Sequence, residues 1–301
     1  MTFLITGGAG FIGSNLAEVL SKDNDVLVLD NLHTGSLENL KGLNLKTITR
    51  PCKDIPTLSL PKLDGIFHLG IPSSSPMYKN NPLVMGDAIN EFILVLETAK
   101  SNNCPLVYAS SSSVYNGNSH PWSEGMPVKV SDYYAEARYS MERLAQLYFN
   151  LYNVPSIGLR FFSVYGPKEE FKKQYANLVS QFLWSMNRDI SPVIYGDGLQ
   201  RRDFTHVSDI VEGCCLAKKK LDKKPICGIF NLGTGKNYDL NELIKILNKT
   251  LDKNIKPTYI QNPIKNYVRD TLADTTKAKR ELGFVAKIGL EEGIRKLAKT
   301  N

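Results

Sequence analysis

Thr6-Gly7-Gly8-Ala9-Gly10-Phe11-Ile12-Gly13 follows the short apolar run Phe3 to Thr6 and leads into an amphipathic pattern at about 12–22. Glycines at 7, 10 and 13 allow a tight turn from strand to helix. They bring backbone N–H groups against a pyrophosphate and let the helix lie close on the strand. Phe11 and Ile12 open that helix. A second apolar run, Asp25 to Leu29, ends at Asp30-Asn31, 17 residues after Gly13. A carboxylate there accepts hydrogen bonds from the adenosine ribose and repels a 2′-phosphate, so the unit predicts a site for NAD rather than NADP. Asp54-Ile55, at the end of the next step, is placed to flank the adenine.

Working outward, further apolar runs at Gly65 to Leu69, Leu106 to Ser110 and Ser156 to Phe161 alternate with helical patterns at about 83–101 and 134–152. Such alternation implies βαβ units and a parallel sheet covered on both faces. After Phe161 the rhythm breaks into loops and shorter helical patterns near 174–187, 206–220, 239–250 and 289–298. The expected architecture is α/β, a Rossmann-type doubly wound parallel sheet with a smaller C-terminal substrate-binding lobe. Residues 1–162 form the dinucleotide domain and 163–301 mainly the second lobe, with a segment at about 192–215 returning to the core.

The 301 residues carry 37 Lys and Arg against 30 Asp and Glu, a formal charge of +7. Nineteen of the basic and nine of the acidic residues lie in 218–301, so an anionic partner is sought towards the C-terminal third. No run approaches the ~18 apolar residues of a membrane span, and a basic region before the first apolar run is lacking, so a cytoplasmic protein without a membrane partner is expected. The five cysteines are scattered and never in C-x-x-C spacing, which points away from a disulfide framework and from a zinc site. His68, with no second ligand at suitable spacing, reads as a buried histidine rather than a metal ligand.

Beyond the glycine turn, four segments follow in a fixed order: Ser110-Ser111-Ser112-Ser113-Val114-Tyr115, Tyr134-Ala135-Glu136-Ala137-Arg138, Leu159 to Pro167, and Gly196-Asp197-Gly198-Leu199-Gln200-Arg201-Arg202-Asp203-Phe204. In this the chain resembles the extended short-chain dehydrogenases/reductases, specifically their nucleotide-sugar epimerases of the UDP-glucose 4-epimerase type. The resemblance covers nearly the whole chain. It implies tightly held NAD and a nucleotide-diphosphate sugar, of UDP-hexose type, as substrate. It also implies a homodimer formed through the helices at about 83–101 and 134–152, with no nucleic-acid partner and no metal.

The same resemblance implies a catalytic trio. A hydride leaves a carbinol carbon only as the hydroxyl proton is removed, and Tyr134 is the candidate base. Arg138, four residues on and on the same helical face, supplies a cation. At about 5 Å and an effective dielectric of ~20 it favours the phenolate by roughly 3 kcal/mol. Ser111 is placed to bridge Tyr134 and the sugar hydroxyl. Tyr133 has Ala137 four residues on and lacks such a cation.

Four departures from the family pattern are visible. Arg138 stands where a lysine is usual, and arginine keeps the charge on a bulkier planar fork. Ser163 replaces an asparagine on the substrate side, and the usual Asn-x-x-Gly-Thr reads Ala88-Ile89-Asn90-Glu91-Phe92. Arg202 matches the family's phosphate-contacting arginine, while the second such arginine is missing, leaving Lys265 or Arg269 as replacements. Related dehydratases carry an Asp-Glu pair after the catalytic Ser or Thr, and related decarboxylases a Glu at the second of those places. Here they are Ser112 and Ser113, which favours epimerisation. A dehydratase or decarboxylase, and a non-catalytic NAD or nucleotide-sugar binder, are the alternatives.

Overall fold

The computed structural model describes residues 1–263 and 268–299. Six strands of its main sheet are β1 (Thr2–Thr6), β2 (Asp25–Leu29), β3 (Lys46–Ile48), β4 (Gly65–His68), β5 (Leu106–Ser111) and β6 (Ser156–Phe161), and Cys227–Leu232 is the seventh. Across the sheet they run in the order Cys227–Leu232, β6, β5, β4, β1, β2, β3. Every neighbouring pair is parallel. The registers place Leu4 between Leu27 and Ile66, three apolar side chains abreast at the middle of the sheet. Because the chain leaves β1 towards β2 and later resumes on the other side at β4, a crevice opens beyond the C-terminal ends of these strands.

Helices cover both faces. On one lie α1 (Phe11–Leu20), α6 (Val207–Lys223) and α8 (Thr276–Leu282) over a core with Ile5, Val28, Phe67 and Phe230. On the other lie α2 (Ser75–Asn80), α3 (Val84–Asn102) and α4 (Tyr133–Tyr152) over Leu4, Ile66, Phe92 and Tyr108. The second lobe packs α5 (Leu178–Asn187), α7 (Leu240–Leu251) and α9 (Leu290–Ala298) around Phe182, Ile194, Leu243 and Ile294. Two side-chain caps define helix starts, the first of them beside the cleft. Asp132 accepts from the Ala135 N–H and begins α4, while Asp239 and Glu242 form a reciprocal capping box at α7.

Within the expected 192–215, the chain returns to the sheet from Val207 onward, where Ile210, Val211 and Cys214 join the core under α1. Val193–Tyr195 belongs with the second lobe, whose core holds Ile194. The returning stretch is α6 with Cys227–Leu232, joined by α8. Two strands lacked a sequence signal. β3 is three residues long at the sheet edge, and Cys227–Leu232 carries Gly228 and Asn231 within its apolar run.

Candidate active site

The glycine turn is crowded to the point of excluding side chains. Gly7 has φ +68° and donates its N–H to Leu29 O at 2.8 Å. A Cβ on Gly7 would lie 2.5 Å from Gly70 Cα, and one on Gly13 would lie 2.1 Å from Gly7 O. α1 starts at Phe11 with Gly10 as a cap that offers no side-chain acceptor. The first N–H groups of a helix have no intrahelical partner. Here they belong to residues that line a cleft of about 1400 Å³, together with Gly7, Gly10, Phe11, Ile12 and Gly13. A Cβ-free cradle at an uncapped helix N-terminus fits a dinucleotide pyrophosphate by both shape and sign.

Asp30 directly follows β2, is buried, and lines the same cleft with Asn31. Its Oδ2 accepts from the Ala9 N–H at 2.9 Å and its Oδ1 from Leu32 N–H at 2.7 Å. Burial pushes this carboxyl above the usual range, against the pull of those backbone donors. Ile55 is buried in the core and Asp54 pairs with Arg50 at 3.2 Å. The cleft wall at this end is formed instead by Arg50, Pro51, Cys52 and Glu91.

Ser111 ends β5 and caps the short 3-10 turn Ser112–Tyr115. Its Oγ accepts from Ser113 N–H and donates to Ser113 Oγ, both at 3.1 Å. Tyr134, in the first turn of α4, lines the cleft beside Ser111, and its ring meets Tyr78 edge-on at 5.5 Å. One turn on, Arg138 is 3% exposed. Its guanidinium carbon sits 4.8 Å from the centre of the Tyr134 ring. Nη1 donates to Ala109 O at 3.4 Å and Nη2 to Pro72 O at 3.0 Å, while Nε is buried without a partner. Tyr133, by contrast, points outward at 48% exposure.

Beneath this trio lies a buried network that sequence reading did not find. Ser110 Oγ donates to Glu142 Oε1 at 2.6 Å. Glu142 is gripped by both Arg160 Nε and Nη2, at 2.8 and 2.6 Å. Glu142 shares the helix face of Tyr134 and Arg138, at positions four and eight residues on. That spacing was the available signal, but its partners lie on β5 and β6. His68 is also buried, with Nδ1 2.7 Å from Thr6 Oγ1. Burial and the nearby Arg138 charge lower its pKa to about 3, so it is a neutral packing group. Among the described residues no three His, Cys, Asp or Glu side chains form a metal-binding group.

On the substrate side, Ser163 (φ +30°) and Arg202 line the cleft. Arg202 Nη1 donates to Arg269 O at 2.7 Å and Nη2 to Val268 O. Arg269 is exposed and is not among the residues that line the cleft, while its carbonyl accepts from Arg202. Lys265 lies outside the described residues. Sequence reading also missed Lys172, Tyr175, Ala176 and Asn177 in the cleft wall, a stretch that no motif marks.

Residues 3–233 match the NAD dependent epimerase/dehydratase family. The chain is 32% identical to a putative UDP-glucose 4-epimerase of Methanocaldococcus jannaschii, over 98% of this chain and 96% of that one. It is also 32% identical to UDP-glucuronic acid decarboxylase 4 of Arabidopsis thaliana, over 98% of this chain and 67% of that one. Among solved structures it is similar to UDP-glucose 4-epimerase of Thermotoga maritima with UDP-glucose. The TM-score is 0.93 and the identity 30%, over 99% of this chain and 98% of that one.

Proposed function

Since the chain belongs to the NAD-dependent epimerase/dehydratase family, we propose that it interconverts the 4-epimers of a nucleotide-diphosphate sugar, of the UDP-glucose/UDP-galactose type. NAD would be held by Gly7, Gly10, Phe11, Ile12, Gly13 and Asp30, and when bound it would supply the reversible hydride chemistry needed at carbon 4.

Tyr134 takes the proton of the 4-hydroxyl and gives it back when the 4-keto sugar, turned over in the cleft, is reduced. Arg138 stabilises the phenolate through its buried charge. It is held there by the Ala109 and Pro72 carbonyls, so no rearrangement is needed at the moment of reaction. Ser111 lines the cleft beside Tyr134, where rotation of its hydroxyl away from Ser113 brings it to the same oxygen, and Ser163 and Arg202 line the cleft on the side of the sugar diphosphate. No net redox change results.

The observation that carries this reading is the wall after β5. Ser112 and Ser113 stand there, hydroxyl side chains in place of a carboxylate, and the Ser113 hydroxyl oxygen accepts from Ser111 Oγ. Elimination or decarboxylation of the related kind needs an acid or base at that place. Asp132, the nearby cleft carboxylate, is committed to the Ala135 N–H as helix cap.

The test is incubation with UDP-glucose, UDP-N-acetylglucosamine and UDP-glucuronate, followed by NMR of the sugar and by reduced-nicotinamide absorbance. The 4-epimer forming at constant absorbance supports the proposal. Loss of carbon dioxide from UDP-glucuronate would replace it with the decarboxylase reading, and inertness of every sugar with intact ligand binding would leave a binder. The same reading carries a cytoplasmic homodimer. Its contact would use α3 and α4, where Leu147 and Leu151 are 47% and 59% exposed one turn apart. Among the described residues no helix is long and apolar enough to cross a membrane.

A further inference from the structure

The loop after Gly166 crosses the start of α1. Asn15 Nδ2 donates to Pro167 O at 3.1 Å, and Lys168 pairs with Glu18, so the beginning of the crossing is tied to the helix. The next residue, Glu169, is fully buried. It accepts from Asn177 N–H at 2.8 Å, from Ser180 Oγ at 2.6 Å and from Lys172 Nζ at 3.2 Å. Lys172 is thereby drawn inward. Its side chain is 14% exposed, it lines the cleft, and Nζ lies 5.4 Å from the centre of the Phe11 ring.

We propose that Lys172 is a diphosphate-binding cation of the dinucleotide site, aimed by the buried carboxylate of Glu169 at the N-terminus of α1. Two diphosphates share this chemistry in the cleft, one in the dinucleotide and one in the nucleotide sugar. Phe11 decides between them, because it is the first residue of the helix whose N–H groups receive the dinucleotide. A free lysine loses much rotamer freedom on binding an anion, and Glu169 removes that freedom beforehand. The crossing loop then acts as a strap that places one positive charge opposite the partial positive charge of the helix end, with the anion between them. This rests on the placement of NAD at α1.

The test uses the full chain freed of bound nucleotide, titrated calorimetrically with NAD and separately with UDP at low and moderate salt. Lys172→Met is expected to weaken NAD about tenfold or more and to flatten the salt dependence of its Kd, with UDP within twofold of wild type. Lys172→Arg restores NAD affinity. Glu169→Gln, which keeps the size but loosens the aim, gives an intermediate loss. Unchanged NAD affinity in Lys172→Met overturns the proposal. So does weakening of UDP alone, which would assign the lysine to the sugar diphosphate. Failure of the wild type to bind NAD at all would remove the cofactor site itself and the proposal with it.

Discussion

The guanidinium of Arg138 lies over the face of the Tyr134 ring, 4.8 Å from its centre, and is fixed there by two backbone carbonyls. The cation is therefore part of the tyrosine's immediate surroundings and not a surface charge. Tyr134→Phe is expected to lower kcat by roughly 10²–10⁴-fold with NAD affinity retained. Arg138→Met removes the charge and should lower kcat roughly hundredfold. Arg138→Lys keeps the charge on a slimmer stem and is expected to retain or raise activity. A collapse of activity in a folded, NAD-binding Lys variant would show that the planar fork itself is required.

Asp30 performs two tasks. Its carboxylate binds Ala9 N–H and Leu32 N–H and presents a negative charge at the end of β2. Asp30→Ser removes the repulsion of a 2′-phosphate, so the ratio of NADP to NAD affinity should rise about tenfold or more. Absolute NAD affinity should fall, since the ribose loses its acceptor. Paired titrations with the two dinucleotides check this. An unchanged ratio would mean that the carboxylate does not face the ribose.

The legible parts of this chain are those in which local sequence alone sets the structure. β1, β2 and β4 are buried on both faces, so Phe3 to Thr6, Val26 to Leu29 and Ile66 to His68 read as unbroken buried runs. The glycine turn and the spacing from Tyr134 to Arg138 are equally local. What was not legible depends on the path of the chain through space. Lys172 lines the cleft with its amine held by buried Glu169, and Arg269 lies outside the cleft wall while its carbonyl accepts from Arg202. Ser110, adjacent to Ser111 and identical in type, proves to be a structural anchor only once Glu142 is seen beside it.

That anchor makes a stability prediction. Glu142 and Arg160 are an ion pair with side chains 5% and 4% exposed, and Glu142 also binds Ser110. Removing one partner strands a charge in the core, so Glu142→Gln is expected to cost about 3–5 kcal/mol in urea unfolding. Replacing both, as Glu142→Leu with Arg160→Met, should recover much of that loss because no charge is left unpaired. Activity in the double variant should still fall, since α4 loses its tie to β5 and with it the spacing of Tyr134 and Ser111.

Two buried histidines contribute to acid destabilisation. Burial lowers His68 to about 3 and His206 to about 4, against an ordinary value near 6.5. Between pH 6.5 and about 4 the unfolded chain binds protons that the folded chain refuses, so stability increases with pH across this window and is lost as pH falls. Each histidine contributes about 2 kcal/mol of loss at pH 5 relative to pH 8. Urea unfolding free energies measured at the two pH values check this, and His68→Phe should reduce the difference by about 2 kcal/mol. An unchanged difference would show that His68 protonates without opening the core.

Two glycines in helices should behave in opposite ways. Gly13, in α1, has no room, since an added Cβ would lie 2.1 Å from Gly7 O and 2.8 Å from Gly8 Cα, both backbone atoms that cannot swing aside. Gly13→Ala must push α1 away from the turn, which costs roughly 3 kcal/mol or more and spreads the N–H groups that face the cofactor. Gly86, in α3, has open space around the position of a Cβ. Gly86→Ala should therefore stabilise by about 1 kcal/mol through helix propensity alone, with NAD affinity unchanged. Thermal melts and NAD titrations of the two variants separate a glycine required by the site from one merely tolerated. Tight NAD binding by Gly13→Ala would show that the turn has slack that its close contacts do not reveal.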